Sequence, residues 1–251
     1  MQKRDLFITE LDLIRIEASF KATLCICFFR SMADYQEIIQ YLHAQERNYY
    51  NTLKLEKRIR SYLMGRFAAK QAVAALISEG NLKNIFIKPG IFSQPIIVSN
   101  MQNIQVSITH CDDFGAALAF PEVHPMGIDL ERICPNQSNA LKRQITVEEE
   151  EKISSLPFSY ETGLTLLWTV KEALSKVLKT GLTTPFKVFE ISKAEPHDEY
   201  IICYYKNFGQ YKAISFTIGS YICSIIYPTK TKIYLDTHSI NEKFAYVRLN
   251  S

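Results

Sequence analysis

The sequence predicts an α+β fold, and three observations carry the prediction: a long helical pattern in the first half of the chain, a second in the latter half, and short β-like runs after each. Over Thr52–Glu79 the apolar residues Leu55, Ile59, Leu63 and Phe67 recur at helical steps, with Gly80 as a stop. Runs with strand character follow at Ile85–Ile87, Pro95–Ser99, Ile104–Thr109, Ala116–Phe120 and Met126–Glu131. Thr146 and Glu149 make a T-x-x-E capping box, which predicts a short acidic helix through Ile153. Leu164–Leu178 reads as the second long helix, with Gly181 just past its end. Strand character returns at Lys187–Ser192, Tyr200–Tyr205, Tyr211–Ile218 and Tyr221–Tyr227.

Composition narrows the class. The chain has 251 residues, enough for one or two domains and a sizeable core. Its 47% hydrophobic and 22% charged content is ordinary globular usage, and 15 Phe with 14 Tyr leave too much surface seeking burial for a disordered chain. Nine Gly and nine Pro exclude collagen-like and linker-rich sequences. Twenty-nine Lys and Arg against 26 Asp and Glu give a net charge of +3, far from the footprint of a dedicated nucleic-acid binder. The first residues carry charges throughout, so no signal peptide is expected. The charge-free stretch Pro89–Cys111 holds Pro, Gln, Asn and Ser and is no membrane span. Cysteines 25, 27, 111, 134, 203 and 223 include no C-x-x-C pair and read as reduced small hydrophobes. The expected compartment is the cytoplasm.

A faint internal repeat aligns VSITHCDDFGAALAF (Val106–Phe120) with ISFTIGSYICSIIY (Ile214–Tyr227), each with a long helix upstream. Chance likeness between two amphipathic αββ units accounts for it equally well. A true repeat would make the cleft between its halves a natural ligand site.

Four groups of side chains could carry chemistry. Asp129 and Glu131 in GIDLER are i and i+2 on a strand and share a face, where a hard cation such as Mg²⁺ would relieve their repulsion; a solvated strand edge is the plainer alternative. Glu172 and Lys176 are i, i+4 on a helix, one turn after Trp168, and could complete a metal site, take a proton or hold a phosphate; a surface ion pair fits equally. Lys171 lies about 100° round that helix and need not share the role. His110 ends VSITH at a strand-to-turn junction, a frequent place for ligand contacts, although a lone His is more often structural. Lys57, Arg58, Arg60, Arg66 and Lys70 make one helix basic, as an anion clamp or as a solvated face. Walker-type, G-x-G-x-x-G, H-E-x-x-H and G-x-S-x-G motifs are absent, which argues against the corresponding nucleotidases, oxidoreductases, zincins and hydrolases.

In order, YLMGRFAAKQAV, PGIFSQPII, VSITHCDDFGAALAF, GIDLER and WTVKEALSKVLKTGL closely resemble the successive motifs of the surfactin-type (Sfp-like) 4′-phosphopantetheinyl transferases. The resemblance runs from about Lys57 to Pro185, and its most specific element is GIDLE followed by W-x-x-K-E-A-x-x-K. It implies two similar α/β halves, 1–124 and 125–251, in pseudo-twofold arrangement, the second carrying the metal site.

The resemblance also implies an activity: Mg²⁺-dependent transfer of the phosphopantetheine arm of coenzyme A to a serine of an apo acyl, peptidyl or aryl carrier protein, releasing adenosine 3′,5′-bisphosphate. By motif match Asp129, Glu131 and Glu172 would surround Mg²⁺, with Glu172 also the base toward the carrier serine. Lys176 would neutralise phosphate charge, and His110 beside Thr109 would bond a coenzyme A phosphate. Gln94 and Pro95 would border the adenine, and Arg60 or Arg66 would clamp the 3′-phosphate. Cys111 departs from the Ser that often follows the motif His, which implies an altered phosphate contact. A monomer that binds neither nucleic acid nor membrane is expected. The alternative on the same fold is a silent module binding coenzyme A or a carrier protein.

Overall fold

The computed structural model describes residues 6–98 and 103–245, with Leu182 described by its backbone alone. The chain divides into two compact units between Pro125 and Met126. Both are mixed α and β, each a sheet with a long helix packed on it.

In the first unit, strands β1 (Leu6–Ile14) and β2 (Ser19–Phe28) lead into short helices α1 (Met32–Ile38) and α2 (Ala44–Tyr50). The long helix α3 (Glu56–Ile77) follows, then the hairpin β3 (Phe86–Pro89) and β4 (Pro95–Val98), and strands β5 (Ile104–Cys111) and β6 (Phe114–Pro121). The larger sheet places this unit's strands in the order β1-β2-β6-β5, all antiparallel, and β3-β4 pair separately. α3 lies across β6, β2 and β5, burying Leu63, Phe67, Ala68, Ala72 and Val73. It starts later than its apolar pattern suggests because Thr52 and Leu53 still bond the carbonyls of Tyr49 and Tyr50, closing α2. It ends on Ser78 in the left-handed region (φ 58°), before Gly80.

The second unit opens with β7 (Gly127–Arg132), then α4 (Ser138–Lys142), α5 (Val147–Ile153) and α6 (Tyr160–Leu178). Strands β8 (Ile191–Pro196), β9 (Ile201–Tyr205), β10 (Tyr211–Ile218) and β11 (Tyr221–Pro228) follow, then α7 (Thr237–Lys243). Its antiparallel sheet runs β7-β11-β10-β9-β8 with α6 on β11 and β7. The strand expected over Lys187–Ser192 is a correction: Phe186–Phe189 forms a 3-10 turn, burying Phe186 and Phe189, and β8 starts only at Ile191. The strand expected over Pro95–Ser99 is β4 as far as Val98, and Ser99 lies outside the described residues.

A polar node common to both units shows the repeat. In the first, Glu46 at the third position of α2 accepts from its own cap residue, His43 N (2.9 Å), and from Ile87 N on β3 (3.0 Å), and pairs with Lys70 of α3 at 2.7 Å. In the second, Glu149 accepts from its cap residue Thr146 N (2.9 Å) and from Ile191 N on β8 (2.7 Å), and Lys171 of α6 donates to it at 2.6 Å. Each position lies close to a hundred residues from its counterpart. A buried charge survives only if paired and hydrogen-bonded, and in both units one carboxylate ties a helix start, a strand and the long helix together. Chance likeness of two αββ units would not reproduce four matched positions.

Candidate functional site

β7 is an edge strand, yet the face bearing Asp129 is covered. The cover is α6, which approaches so closely that a Cβ on Gly127 would lie 2.4 Å from the Ala173 carbonyl oxygen. Glycine at the head of GIDLER is therefore what lets the helix bring Glu172 down onto the strand. Asp129 pairs with Ser224 and Glu131 with Ile222 across to β11, so both carboxylates project to the α6 side. Asp129 is buried, which removes the solvated-edge alternative.

On α6, Lys176 Nζ donates to Asp129 Oδ1 at 2.7 Å and to the Ile128 carbonyl at 3.0 Å, so it is no surface partner of Glu172. Trp168 packs at a tilt against Phe186 (centroids 4.7 Å apart) and holds Nε1 3.5 Å from Glu131 Oε1, acting as core anchor and site wall together. Glu172 Oε2 is buried with no hydrogen-bond partner. Burial, and then the nearby Asp129 charge, raise the Glu172 carboxyl above its ordinary value against the opposing pull of Lys176. Lys171 turns the other way, into its pair with Glu149. The result is an acidic recess on one helix–strand pair: two carboxylates on β7, one on α6, and one ammonium.

Among the described residues, no group of three or more His, Cys, Asp or Glu is disposed around one metal position as the side chains stand. The donor set nevertheless suits a hard cation. An unpartnered buried oxygen on Glu172, held near Asp129, is the environment that oxygen-seeking Mg²⁺ relieves.

In the first unit, His110 is exposed one residue before the end of β5, and a 2.5 Å hydrogen bond joins its Nε2 to Ser61 Oγ on α3. Thr109, one residue earlier, is buried. The residue before Ser61 on α3 reaches the same turn: Arg60 lies 3.8 Å from Asp113, whose Oδ1 accepts from Tyr35 OH at 2.8 Å. Arg60 also pairs with Glu56 at 2.7 Å and sits over the Tyr35 ring. Arg66 is placed differently. It stacks on Tyr62, reaches toward Glu46, and keeps 14% side-chain exposure against 37% for Arg60. Lys70 is fully buried, so the basic face of α3 is solvated at Lys57 and Arg58 and in part at Arg60. Gln94 acts locally, shaping the β3–β4 turn before Pro95. Its Oε1 accepts from Phe92 N at 2.9 Å and its carbonyl from Gly90 N at 2.7 Å.

Ser61, Asp113 and Tyr35 were not legible as site neighbours, since only the approach of α3 to the β5–β6 turn joins them. Glu46 had a weaker signal, a capping box whose cap is His instead of Ser or Thr.

No helix among the described residues is long and apolar enough to cross a membrane. No curated protein matches the chain. Among solved structures, the chain is similar to a holo-(acyl-carrier-protein) synthase from Bacillus anthracis str. Ames in complex with CoA (3′,5′-ADP), at 20% identity and a TM-score of 0.35, covering 44% of this chain and 96% of that one. It is likewise similar to an ACPS–CoA complex from Chronobacterium ammoniagenes, at 19% identity and a TM-score of 0.30, covering 45% and 96%. Residues 125–226, the stretch that carries the acidic recess, match the family model of the 4′-phosphopantetheinyl transferase superfamily.

Proposed function

We propose that the protein is a 4′-phosphopantetheinyl transferase of the surfactin type. It moves the phosphopantetheine arm of coenzyme A to a serine of an apo acyl, peptidyl or aryl carrier protein, with Mg²⁺ as cofactor. The observation that carries the reading is the buried, unpartnered Glu172 Oε2 beside Asp129, within a segment that matches the superfamily model.

Asp129, Glu131 and Glu172 are the residues that would hold Mg²⁺, which supplies positive charge to the pyrophosphate oxygens when bound. Glu172, its carboxyl raised by burial, takes the proton from the carrier serine directly or through one water. The serine oxygen forms its bond to the β-phosphorus while the bond from that phosphorus to the bridging oxygen breaks. Adenosine 3′,5′-bisphosphate leaves with the electron pair. Lys176, steadied by Asp129 and the Ile128 carbonyl, presents its ammonium to the phosphate oxygens. His110 and Thr109 contact a coenzyme phosphate, and Gln94 and Pro95 border the adenine. Arg60 takes the 3′-phosphate in preference to Arg66, whose side chain is the less exposed of the two. On this reading the protein works as a cytoplasmic monomer.

Intact-mass spectrometry on a panel of apo carrier proteins, incubated with coenzyme A and Mg²⁺, tests the proposal. A metal-dependent gain of one phosphopantetheine arm, absent with Glu172→Ala, is expected. Coenzyme A binding without any gain would make the chain a silent binder instead.

A further inference from the structure

The Arg60–Ser61 step of α3 grips the β5–β6 turn at two points, Arg60 on Asp113 and Ser61 on His110. The turn between them is tight, with Asp112 in the left-handed region at φ 50°. His110 precedes the turn on β5, exposed and paired across to Gly115 on β6. An exposed histidine samples several ring orientations and two neutral tautomers, and the group bonded to one nitrogen decides where the proton sits on the other. Here that group is the Ser61 hydroxyl, 2.5 Å from Nε2 and carried by a helix of 22 residues.

We propose that Ser61 is a positioning residue: its hydroxyl donates to His110 Nε2, fixing the ring plane and holding the neutral ring as the Nδ1–H tautomer that an anionic ligand meets. The inference rests on the reading of His110 as a phosphate contact. Phosphate oxygens accept hydrogen bonds, so the ring must reach them as a donor in a set orientation. A ring free to turn or to exchange tautomers must be ordered at the moment of binding, at a cost in affinity.

The test pairs calorimetric titration of the full-length protein with coenzyme A and ¹⁵N NMR of the His110 ring. Ser61→Ala is expected to weaken coenzyme A binding about three- to tenfold, the range of one lost neutral hydrogen bond, and to shift the ring away from Nδ1–H. Ser61→Thr, which keeps the hydroxyl, is expected to stay within about twofold, and Ser61→Ala is expected to add little in a His110→Ala background. An unchanged tautomer in Ser61→Ala overturns the proposal, as does an affinity loss that persists undiminished without His110. If the unaltered protein fails to bind coenzyme A, the phosphate reading falls by itself, and the ring spectra still decide whether Ser61 sets the tautomer.

Discussion

Lys171 and Glu149 close an ion pair at 2.6 Å with neither side chain exposed, and Glu149 spends its remaining capacity on the backbone of Thr146 and Ile191. Removing one partner strands a buried charge, a loss of about 3–5 kcal/mol. Lys171→Met is therefore expected to lower unfolding stability by that amount in urea titrations, and Lys70→Met to do the same in the first unit. A change within about 0.5 kcal/mol, as expected for a surface lysine such as Lys152, would refute the role given to the pair.

Glu172 shows the opposite sign. An ionised carboxylate whose Oε2 is buried and unpartnered costs the fold stability, so Glu172→Gln is expected to raise metal-free stability by about 1 kcal/mol while cutting transfer at least about a hundredfold. Differential scanning calorimetry and carrier-mass assays on one preparation would show it. A destabilised variant would mean the carboxylate has a structural partner after all.

Gly127→Ala pushes a methyl group against a backbone carbonyl that cannot rotate away. The expected result is a loss of about 1–3 kcal/mol together with a fall in transfer, because α6 must lift and carry Glu172 and Lys176 off β7. Leu130→Val on the same strand, a volume change of one methylene, serves as the comparison and should spare activity.

His124 supplies a pH dependence independent of the site. It is fully buried, and burial lowers its imidazole from the ordinary 6.5 against an opposing backbone hydrogen bond, with the Arg15 charge adding a smaller push in the same direction as burial. Below 6.5 the unfolded chain binds a proton that the folded chain refuses. Stability should therefore fall as pH drops from 6.5 toward the folded value, with a slope of at most about 1.4 kcal/mol per pH unit. His124→Gln should flatten that part of the profile in urea titrations repeated across pH, and an unchanged slope would assign it to other groups.

Where a residue's partner sits nearby in sequence, the fold was legible. The Thr146–Glu149 box gave α5, and period two put Asp129 and Glu131 on one face. What stayed hidden depends on distant approach. Whether Asp129 faces water or protein is settled by Gly127 admitting α6, and nothing in GIDLER states that. The basic stripe of α3 looked uniform although Lys70 points inward at Glu46 and Arg60 outward at Asp113. β1 carries Leu11 and Leu13 on its inner side and Glu10 and Asp12 on its outer, an alternation that the charges near the N-terminus disguised.

Among the described residues β7 has a single hydrogen-bonded neighbour in its sheet, β11, which is made about ninety residues later. During synthesis the strand bearing Asp129 and Glu131 thus emerges before its partner strand, whereas Glu46, Lys70 and Ile87 of the first node have all been made before β7 appears. The backbone ladder of β7 forms only when β11 arrives. A ribosome stalled short of Tyr221 therefore holds a nascent polypeptide whose first polar node has all its members, while the strand carrying Asp129 and Glu131 still lacks its hydrogen-bonded neighbour.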